Sequence, residues 1–382
     1  MHSLPVKVLQ IGMTRNHGGL ETYLLQQFRW LDRTKVTYDF VNITGEYDIV
    51  AQEELVAAGC KVYPVCSRHK NPLKHYYQWM RLLSRIHTQY DAIVLNTNSL
   101  EYVFPLFAAR LFGIPRRIIH SHNAGFENKI GLLRKLLVGF NTVLLKRSAT
   151  HYFACSKAAG KWMFGVNTDF AVIHNAIEPD QFAFNEAKRI IIRQQLDLED
   201  TFVIGHVGRF SYQKNHEFLI KVFAEVVKQK PNSRLLLIGD YVGDDTYWNQ
   251  CKAMVNEFGL TDKVLFLGMR KDVPDLMQAM DCFVLPSHFE GLPLVGIEAQ
   301  ASGLPSFFSD TITREIGITE LAHFIGLDNT EMWAEQILAS EETERTDRTS
   351  DIGSAGYDIE KEIQLIEEFY LKNSLVKKRY IL

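Results

Sequence analysis

Two glutamates, Glu290 and Glu298, lie eight positions apart in the segment FVLPSHFEGLPLVGIEAQASGLP. The apolar run 283–285 predicts a buried strand, Gly291 permits a tight turn and Pro293 suits the first position of a helix. Glu290 is therefore expected at the end of the strand and Glu298 on the following helix. This spacing places one carboxylate on either side of a strand-to-helix turn.

The turn between the glutamates is expected to expose free backbone donors. The N–H groups of Leu294 and Val295 would lie at the positive end of a helix dipole, which is a ready site for phosphate. Carboxylates repel phosphate but accept hydrogen bonds from hydroxyls. The pattern therefore fits a phosphorylated sugar compound better than a nucleoside triphosphate. The alternative is that Glu290 is a turn residue and Glu298 a solvated position on a helix.

A second segment, FVIGHVGRFSYQKNHEFLI, again predicts a strand, a glycine turn and a helix. It places Arg209 and Lys214 just beyond the carboxyl end of the strand, and two cations beside one helix start suggest a diphosphate. Ligands of open α/β sheets bind at the carboxyl ends of the strands, so both segments would place their side chains in one crevice. The alternative is a surface arginine and a lysine on a solvated helix face.

These motifs resemble family 4 of the retaining GT-B glycosyltransferases. Two glutamates separated by seven residues are the family's signature, and its GR and K pair falls on Gly208, Arg209 and Lys214. Further similarities extend over nearly the whole chain: the GGLE turn at 18–21, the histidine His122, the FACS segment ending at Ser156 and the run VIHNAIEPDQF. The segments EGLPLVGIEAQASGLP and SDTITREI are most similar in sequence to those of members that build bacterial capsular or exopolysaccharide repeat units.

The resemblance implies a role for each matching residue. Glu298 would hold the ribose hydroxyls of a nucleotide, Arg209 and Lys214 its diphosphate, and Glu290 the hydroxyls of the transferred sugar. His122 would contact the donor sugar or the acceptor, with His120 on the same strand face. The implied catalytic residues are Arg209, Lys214, Glu290 and His122, and the implied donor-binding residues are Gly18, Gly19, Gly208, Arg209, Lys214, Arg270, Glu290, Gly291, Leu294, Val295 and Glu298.

The implied reaction is the transfer of a hexose from a nucleotide diphosphate sugar, with UDP the commoner nucleotide, to a lipid-linked oligosaccharide or other glycan. The family's retention is ascribed to a same-face mechanism that needs no covalent nucleophile, cofactor or metal. Asp244 and Asp245 are interpreted as turn or cap residues. A glycosidase could also use two carboxylates, but that leaves Arg209 and Lys214 unexplained. The other alternative is a non-catalytic GT-B subunit or chaperone that partners an active enzyme.

The length and composition favour an α/β protein with two domains. At 382 residues and 46% apolar content, the chain can fill two cores. Strands at 6–11, 36–41, 92–95, 117–120, 151–154, 203–207, 234–238, 264–267 and 282–285 alternate with helical patterns, which indicates parallel sheets. The resemblance implies two Rossmann-like, doubly wound domains that face a central cleft. We expect an acceptor domain at 1–180, a nucleotide-sugar domain at 181–355, and a helical segment at 356–382 that crosses back, with 341–356 as a loop or linker.

The cysteines and the N-terminus predict a cytoplasmic protein. Five scattered cysteines without metal-ligand spacing are interpreted as reduced, buried thiols. The chain runs from MHSLP directly into a strand, and neither a signal peptide nor a spanning helix is expected.

Charge is divided unevenly, with a net +8 over residues 1–180 and −11 over 181–382. The segment 61–90 holds six basic residues and no acid, interleaved with the aromatic residues Tyr76, Tyr77 and Trp79, and LLRKLLVGFNTVLLKR follows it. Such a basic amphipathic surface predicts peripheral contact with anionic lipid at the inner face of the plasma membrane. The alternative is a set of ordinary solvated helix faces. Nucleic acid is not expected, because no binding motif accompanies the patch.

Overall fold

The computed structural model of the protein describes residues 4–16, 18–123, 125, 131–241 and 243–372. The chain divides into two compact units. The first contains the described residues up to Ala176 together with those from Ile359 onward, and the second contains Ile177–Asp358. Within the described ranges, no helix is both long enough and apolar enough to cross a membrane.

The first unit is built on a parallel sheet with the strand order β3-β2-β1-β4-β5-β6-β7. Its strands are β1 (Val6–Ile11), β2 (Val36–Asn42), β3 (Val62–Pro64), β4 (Ala92–Thr97), β5 (Arg116–Ser121), β6 (His151–Ala154) and β7 (Ala171–Val172). The order reverses direction between β1 and β4, so right-handed crossovers cover both faces with helices. This confirms the predicted doubly wound α/β architecture for the first unit.

Among the described residues, six helices lie between these strands, and a side chain caps the start of two of them. They are α1 (Gly19–Trp30), α2 (Gln52–Ala57), α3 (Pro72–Ile86), α4 (Phe104–Leu111), α5 (Leu132–Ser148) and α6 (Lys157–Phe164), with a 3₁₀ turn at His87–Gln89. The Asn71 side chain accepts a hydrogen bond from the Lys74 N–H at the start of α3, and Ser156 caps α6 by accepting from the Ala159 N–H. These caps fix where the helices leave the carboxyl edge of the sheet.

The second unit is built on a parallel sheet with the strand order β10-β9-β8-β11-β12-β13. Its strands are β8 (Phe202–Val207), β9 (Ser233–Ile238), β10 (Val264–Gly268), β11 (Cys282–Leu285), β12 (Ser306–Ser309) and β13 (Ala322–Ile325). Almost every residue of β8, β9, β11 and β12 is buried, because helices cover both faces of the sheet. Here too the predicted doubly wound architecture is confirmed.

Eight helices among the described residues surround this second sheet. They are α7 (Pro179–Phe182), α8 (Glu186–Gln195), α9 (His216–Gln229), α10 (Thr246–Glu257), α11 (Val273–Ala279), α12 (Leu294–Ala301), α13 (Thr330–Ala339) and α14 (Thr349–Ser354), with 3₁₀ turns at Tyr212–Lys214 and Arg314–Ile316. The prediction of a loop or linker over 341–356 is wrong at α14, where Ile352 is fully buried. Arg345 also ties this segment down by donating to the carbonyl oxygens of Ser302 and Gln278.

The last described helix, α15 (Ile359–Lys372), packs against the first unit. Its buried residues Ile363, Ile366 and Phe369 join the core that surrounds α1 and β2. Glu367 accepts a hydrogen bond from the Asp32 N–H at 2.7 Å and pairs with the Lys35 ammonium at 3.1 Å. Residues 373–382 of the predicted C-terminal segment lie outside the described residues.

None of the five cysteines, all of which lie in the described residues, forms a disulfide, and three of them are buried. Cys155, Cys251 and Cys282 lie in the cores, where burial raises the pKa of the Cys251 thiol to about 12. The expectation of burial is wrong for Cys60 and Cys66, which are partly exposed because they flank the short edge strand β3. Even so, partial burial raises the pKa of Cys60 to about 11, so it stays protonated near neutral pH.

Candidate functional site

The second unit has a topological switch point between β8 and β11. The chain runs outward from β8 to β9 and β10, and then returns to pair β11 with the other side of β8. Loops that leave the carboxyl ends of such neighbouring strands diverge, and the crevice between them is the usual ligand site of open α/β sheets. Arg209 lies just beyond β8, and Glu290 lies in the loop that follows β11. The two sequence motifs therefore meet at this edge of the sheet.

Lys214 and Glu290 form an ion pair at the switch point. The Lys214 Nζ lies 2.7 Å from Glu290 Oε1, and the two side chains are only 16% and 8% exposed. Gln213 Nε2 donates to Glu290 Oε2 at 3.0 Å and to the Phe289 carbonyl oxygen at 3.0 Å. Both oxygens of this carboxylate are thus held in place. The sequence analysis did not identify Gln213, since a glutamine beside a lysine has no distinctive spacing.

Glycines bring the backbone and the Lys214 stem close together at this edge. A Cβ added to Gly208 would lie 3.1 Å from Lys214 Cδ and 3.0 Å from His206 Nε2. Gly239 has a φ of +142°, and a Cβ there would lie only 2.1 Å from the carbonyl oxygen of Gly208. The predicted residue Gly208 therefore has a structural reason to be a glycine, because the lysine stem packs across it.

Two charged side chains at the same edge have no partner among the described residues. Arg209 is exposed, and its guanidinium makes no hydrogen bond or ion pair there. Glu298 lies on α12, where burial raises the pKa of its carboxyl to about 7, while the nearby charge of Lys214 lowers that pKa in part. An anion would satisfy Arg209, and hydroxyl donors would stabilise the charged form of Glu298.

The helix α12 begins one residue later than the sequence predicts. Pro293 is its N-cap and has an extended conformation, with φ −76° and ψ 102°. A bend at Gly291 precedes it. The first helical residues are Leu294 and Val295, and their N–H groups have no partner within the described part of the chain. These are the free donors that the sequence places between the two glutamates.

Arg270 is already paired with its neighbour Asp272. The Nε–Oδ1 distance is 2.7 Å and the Nη2–Oδ2 distance is 2.5 Å, and this pairing raises the pKa of Arg270. The predicted contact of its guanidinium with the donor therefore requires this ion pair to open. Asp244, which the sequence analysis interprets as a turn residue, accepts hydrogen bonds from the Thr246 N–H and hydroxyl.

In the first unit, His122 follows β5 in a buried polar network. Its Nε2 lies 3.1 Å from Asn96 Oδ1, and Asn96 in turn donates to Gln10 Oε1 at 2.9 Å. Burial lowers the pKa of His122 to about 3, so the ring is neutral. The Asn96 oxygen can only accept, which assigns the proton to Nε2 and leaves Nδ1 as a buried acceptor without a partner among the described residues. A substrate hydroxyl could use this acceptor.

His120 and the glycines of the first unit are placed as the sequence predicts. His120 lies on the same side of β5 as His122, with the ring centroids 4.1 Å apart, and its Nδ1 contacts the Tyr23 hydroxyl at 3.3 Å. Gly18 caps α1, and a Cβ there would lie 2.9 Å from Glu21 Oε2. A Cβ on Gly19 would meet nothing within 4 Å, so only Gly19 leaves open space beside the backbone.

Comparison with known proteins matches both units to glycosyltransferases. The family described as glycosyl transferases group 1 matches residues 188–350, and the glycosyl transferase 4-like domain matches residues 18–176. The putative glycosyltransferase EpsF of Bacillus subtilis (strain 168) is 30% identical over 390 aligned positions, which cover 97% of each chain. The chain belongs to this glycosyltransferase family. The family resemblance predicted from the motifs is therefore confirmed.

Two further comparisons bear on the fold and the relatives of the glycosyltransferase. The solved structure of Anabaena HepE in complex with UDP has a TM-score of 0.77, is 21% identical and covers 97% of this chain and 100% of its own. This likeness confirms the GT-B fold. An Escherichia coli UDP-Gal:alpha-D-GlcNAc-diphosphoundecaprenol alpha-1,3-galactosyltransferase is 26% identical, with 80% of this chain and 79% of its own length covered.

Glu298→Gln is expected to stabilise the ligand-free glycosyltransferase above neutral pH but not in mild acid. The pKa of Glu298 rises from its ordinary 4.5 to about 7 on folding, so the folded state holds a proton that the unfolded chain releases between these values. Wild-type stability should therefore fall as the pH rises through this window, by about 2–3 kcal/mol. Urea unfolding at about pH 5 and about pH 8 measures this difference. Parallel profiles for the two proteins would contradict it.

Proposed function

We propose that the protein transfers a hexose from a UDP-sugar to a lipid-linked oligosaccharide, with retention of the anomeric configuration, in the assembly of a cell-surface polysaccharide. One observation carries the proposal. At the switch point of the second unit Lys214 pairs with Glu290 at 2.7 Å, while Arg209, Glu298 and the free N–H groups of Leu294 and Val295 lie in segments that leave the same edge of the sheet. Cations and amides suit a diphosphate, and the acids suit the hydroxyls on either side of it.

The relatives support UDP as the nucleotide of the proposed donor. HepE has been crystallised with UDP and with UDP-glucose, and the Escherichia coli relative is named for a UDP-Gal donor. On this assignment the ribose hydroxyls donate to Glu298, and Arg209 binds the diphosphate. Lys214 bridges the diphosphate and Glu290, since its ammonium has donors to spare beyond the one on the carboxylate. Glu290, fixed by Gln213, accepts from a hydroxyl of the sugar.

The chemistry follows from the charges that develop as the anomeric bond breaks. Negative charge accumulates on the departing diphosphate, where Arg209, Lys214 and the N–H groups of Leu294 and Val295 would stabilise it more in the transition state than in the ground state. The departing phosphate oxygen then accepts the proton of the acceptor hydroxyl while the new bond forms on the same face. In this proposal Glu290 acts neither as a nucleophile nor as a hydrolytic acid, and the transfer requires no metal or cofactor.

The name of one relative and the charge of the first half of the chain support the proposed lipid-linked acceptor. The Escherichia coli relative is named for a diphosphoundecaprenol-linked sugar, which is a lipid-diphosphate acceptor. The basic half of this chain would suit such an acceptor in an anionic membrane, and we place the protein peripherally at the inner face of the plasma membrane. His122 Nδ1, a buried acceptor, is the group of the first unit proposed to bind a substrate hydroxyl.

A thermal-unfolding series with nucleotides and sugar nucleotides tests the donor assignment. A ligand at roughly a hundredfold excess over its Kd stabilises the native state by about 2.7 kcal/mol. UDP and at least one UDP-hexose should raise the melting temperature by several degrees, whereas ADP should raise it little. The matched control is Glu298→Gln, in which the shift with UDP should shrink. Unchanged melting with every UDP and GDP compound would contradict the proposal.

A further inference from the structure

The helix α5 of the first unit carries a wide apolar face that the other described residues of this unit leave exposed. Six large apolar side chains, between 40% and 82% exposed, project from it: Leu132, Leu133, Leu136, Leu137, Phe140 and Val143. At 3.6 residues per turn they share an arc of about 140°. The side chains that α5 buries, Asn141, Leu145 and Ser148, lie in its second half and on another side. An ordinary surface helix turns its apolar stripe inward, so this outward stripe indicates a contact surface.

Basic side chains border the apolar face of α5. Lys135 lies near its start and Lys146 and Arg147 near its end, all exposed and without a carboxylate partner among the described residues. Arg134 is the exception, since it pairs with Glu101. The helix itself contains no acidic residue. Such a face would repel a basic partner and attract an anionic, apolar one.

The neighbouring helices extend this surface. The chain moves in one direction along the sheet from β3 to β6, so right-handed crossovers place α3, α4 and α5 on the same face of the first unit. On α3, Leu73 and Tyr77 are exposed beside Lys74, Arg81 and Arg85, and these cations also lack carboxylate partners in the part of the chain that the structure describes. Both α3 and α5 pack against α4.

We propose that α5 lies in the headgroup region of an anionic bilayer, with its leucine and phenylalanine face inserted and the cations of α3 and α5 on lipid phosphates. This inference rests on the membrane contact that is part of the proposed function. It goes further because it names α5 as the helix that inserts. Lipid phosphate complements the unpaired cations, and the acyl boundary covers the apolar face, as for interfacial helices in general. Salt screens the attraction between these cations and an anionic surface, whereas insertion of the apolar side chains adds a component that salt does not screen.

Flotation of the full-length protein with vesicles tests the proposal. Vesicles of phosphatidylglycerol and phosphatidylcholine in equal parts should carry the wild-type protein, in part even at high salt, whereas phosphatidylcholine alone should carry little. The double variant Leu133→Gln/Phe140→Gln should bind at least about 10-fold more weakly, because it makes polar two of the side chains that the bilayer would bury. The matched control is Ile190→Gln/Ile191→Gln, which changes two half-exposed side chains on α8 of the second unit and should bind as the wild type does.

Three results would overturn the assignment of α5: no flotation of the wild type, equal flotation of the α5 variant, or wild-type self-association that the α5 variant abolishes while vesicles bind neither protein. The last result would make a second copy the occupant of the face. UDP-induced thermal shifts on the same samples separate this proposal from the glycosyl-transfer proposal. A retained shift without vesicle binding refutes only the role of α5, and vesicle binding without any UDP shift refutes only the donor assignment.

Discussion

Replacing Arg209 with alanine is expected to lower turnover by roughly 100-fold or more while the protein stays folded. The guanidinium is exposed and has no partner in the described structure, so its removal breaks no internal contact. Its proposed role is to bind the departing diphosphate, where a fixed positive charge stabilises the transition state more than the ground state. The measurement is kcat for UDP release from a UDP-hexose with a lipid-linked acceptor, together with a melting curve.

The control for Arg209 is Arg234→Ala. Arg234 is the second residue of β9, at the end of the sheet opposite to the carboxyl edge, and its guanidinium donates to the Ser233 carbonyl oxygen. Its loss should leave kcat within about twofold of wild type, as is usual for surface substitutions away from special features. Near-normal turnover of Arg209→Ala would remove Arg209 from the proposed mechanism.

Replacing Lys214 with methionine is expected to damage both stability and turnover. It leaves the Glu290 carboxylate almost fully buried with only Gln213 as a partner. Breaking a buried ion pair on one side costs about 3–5 kcal/mol, and the slight exposure of this pair favours the lower figure. The expected results are a loss of about 3 kcal/mol in the free energy of unfolding by urea and a loss of turnover of at least 100-fold.

The double variant Lys214→Met/Glu290→Gln separates these two effects. A neutral amide at 290 carries no uncompensated charge, so the double variant should recover much of the lost stability. Turnover should stay low, because neither the cation for the diphosphate nor the carboxylate for the sugar is restored. A single variant as stable as the wild type would refute the buried pair, and an active double variant would refute its catalytic use.

The central strands of both sheets are the part of the fold that the sequence predicts well. Each of the nine predicted strands is present, with ends that differ by at most two residues, because long apolar runs bounded by polar turns leave little choice. The strands β3, β7, β12 and β13 were not predicted. They have two to four residues each, and their pairing depends on the neighbouring strand rather than on a periodic pattern of their own. The helix α14 was missed in a polar stretch because a single buried side chain, Ile352, gives no periodicity.

The candidate site could be predicted as a set of residue types but not as a set of contacts. Spacing places Glu290 and Glu298 on either side of a turn, and the structure agrees, with α12 starting at Leu294. The ion pair between Lys214 and Glu290 joins residues 76 positions apart, and local patterns carry no information on such pairing. The same holds for Asn96, which orients His122 from the neighbouring strand.

The side chain of Arg270, a predicted donor-binding residue, is held by a neighbouring carboxylate. Its sequence position suggests a contact with the nucleotide, but its guanidinium donates to the carboxylate of Asp272, two residues further along the chain. Such an exposed pair contributes little to stability and can open when a ligand binds.

A crystal structure of the protein with UDP tests the central claim most directly. We expect the diphosphate within hydrogen-bond distance of Arg209, Lys214 and the N–H groups of Leu294 and Val295, with the ribose hydroxyls on Glu298. UDP bound elsewhere, or a site at the β8–β11 switch point that stays empty at saturating UDP, would contradict the claim that these residues form one donor site.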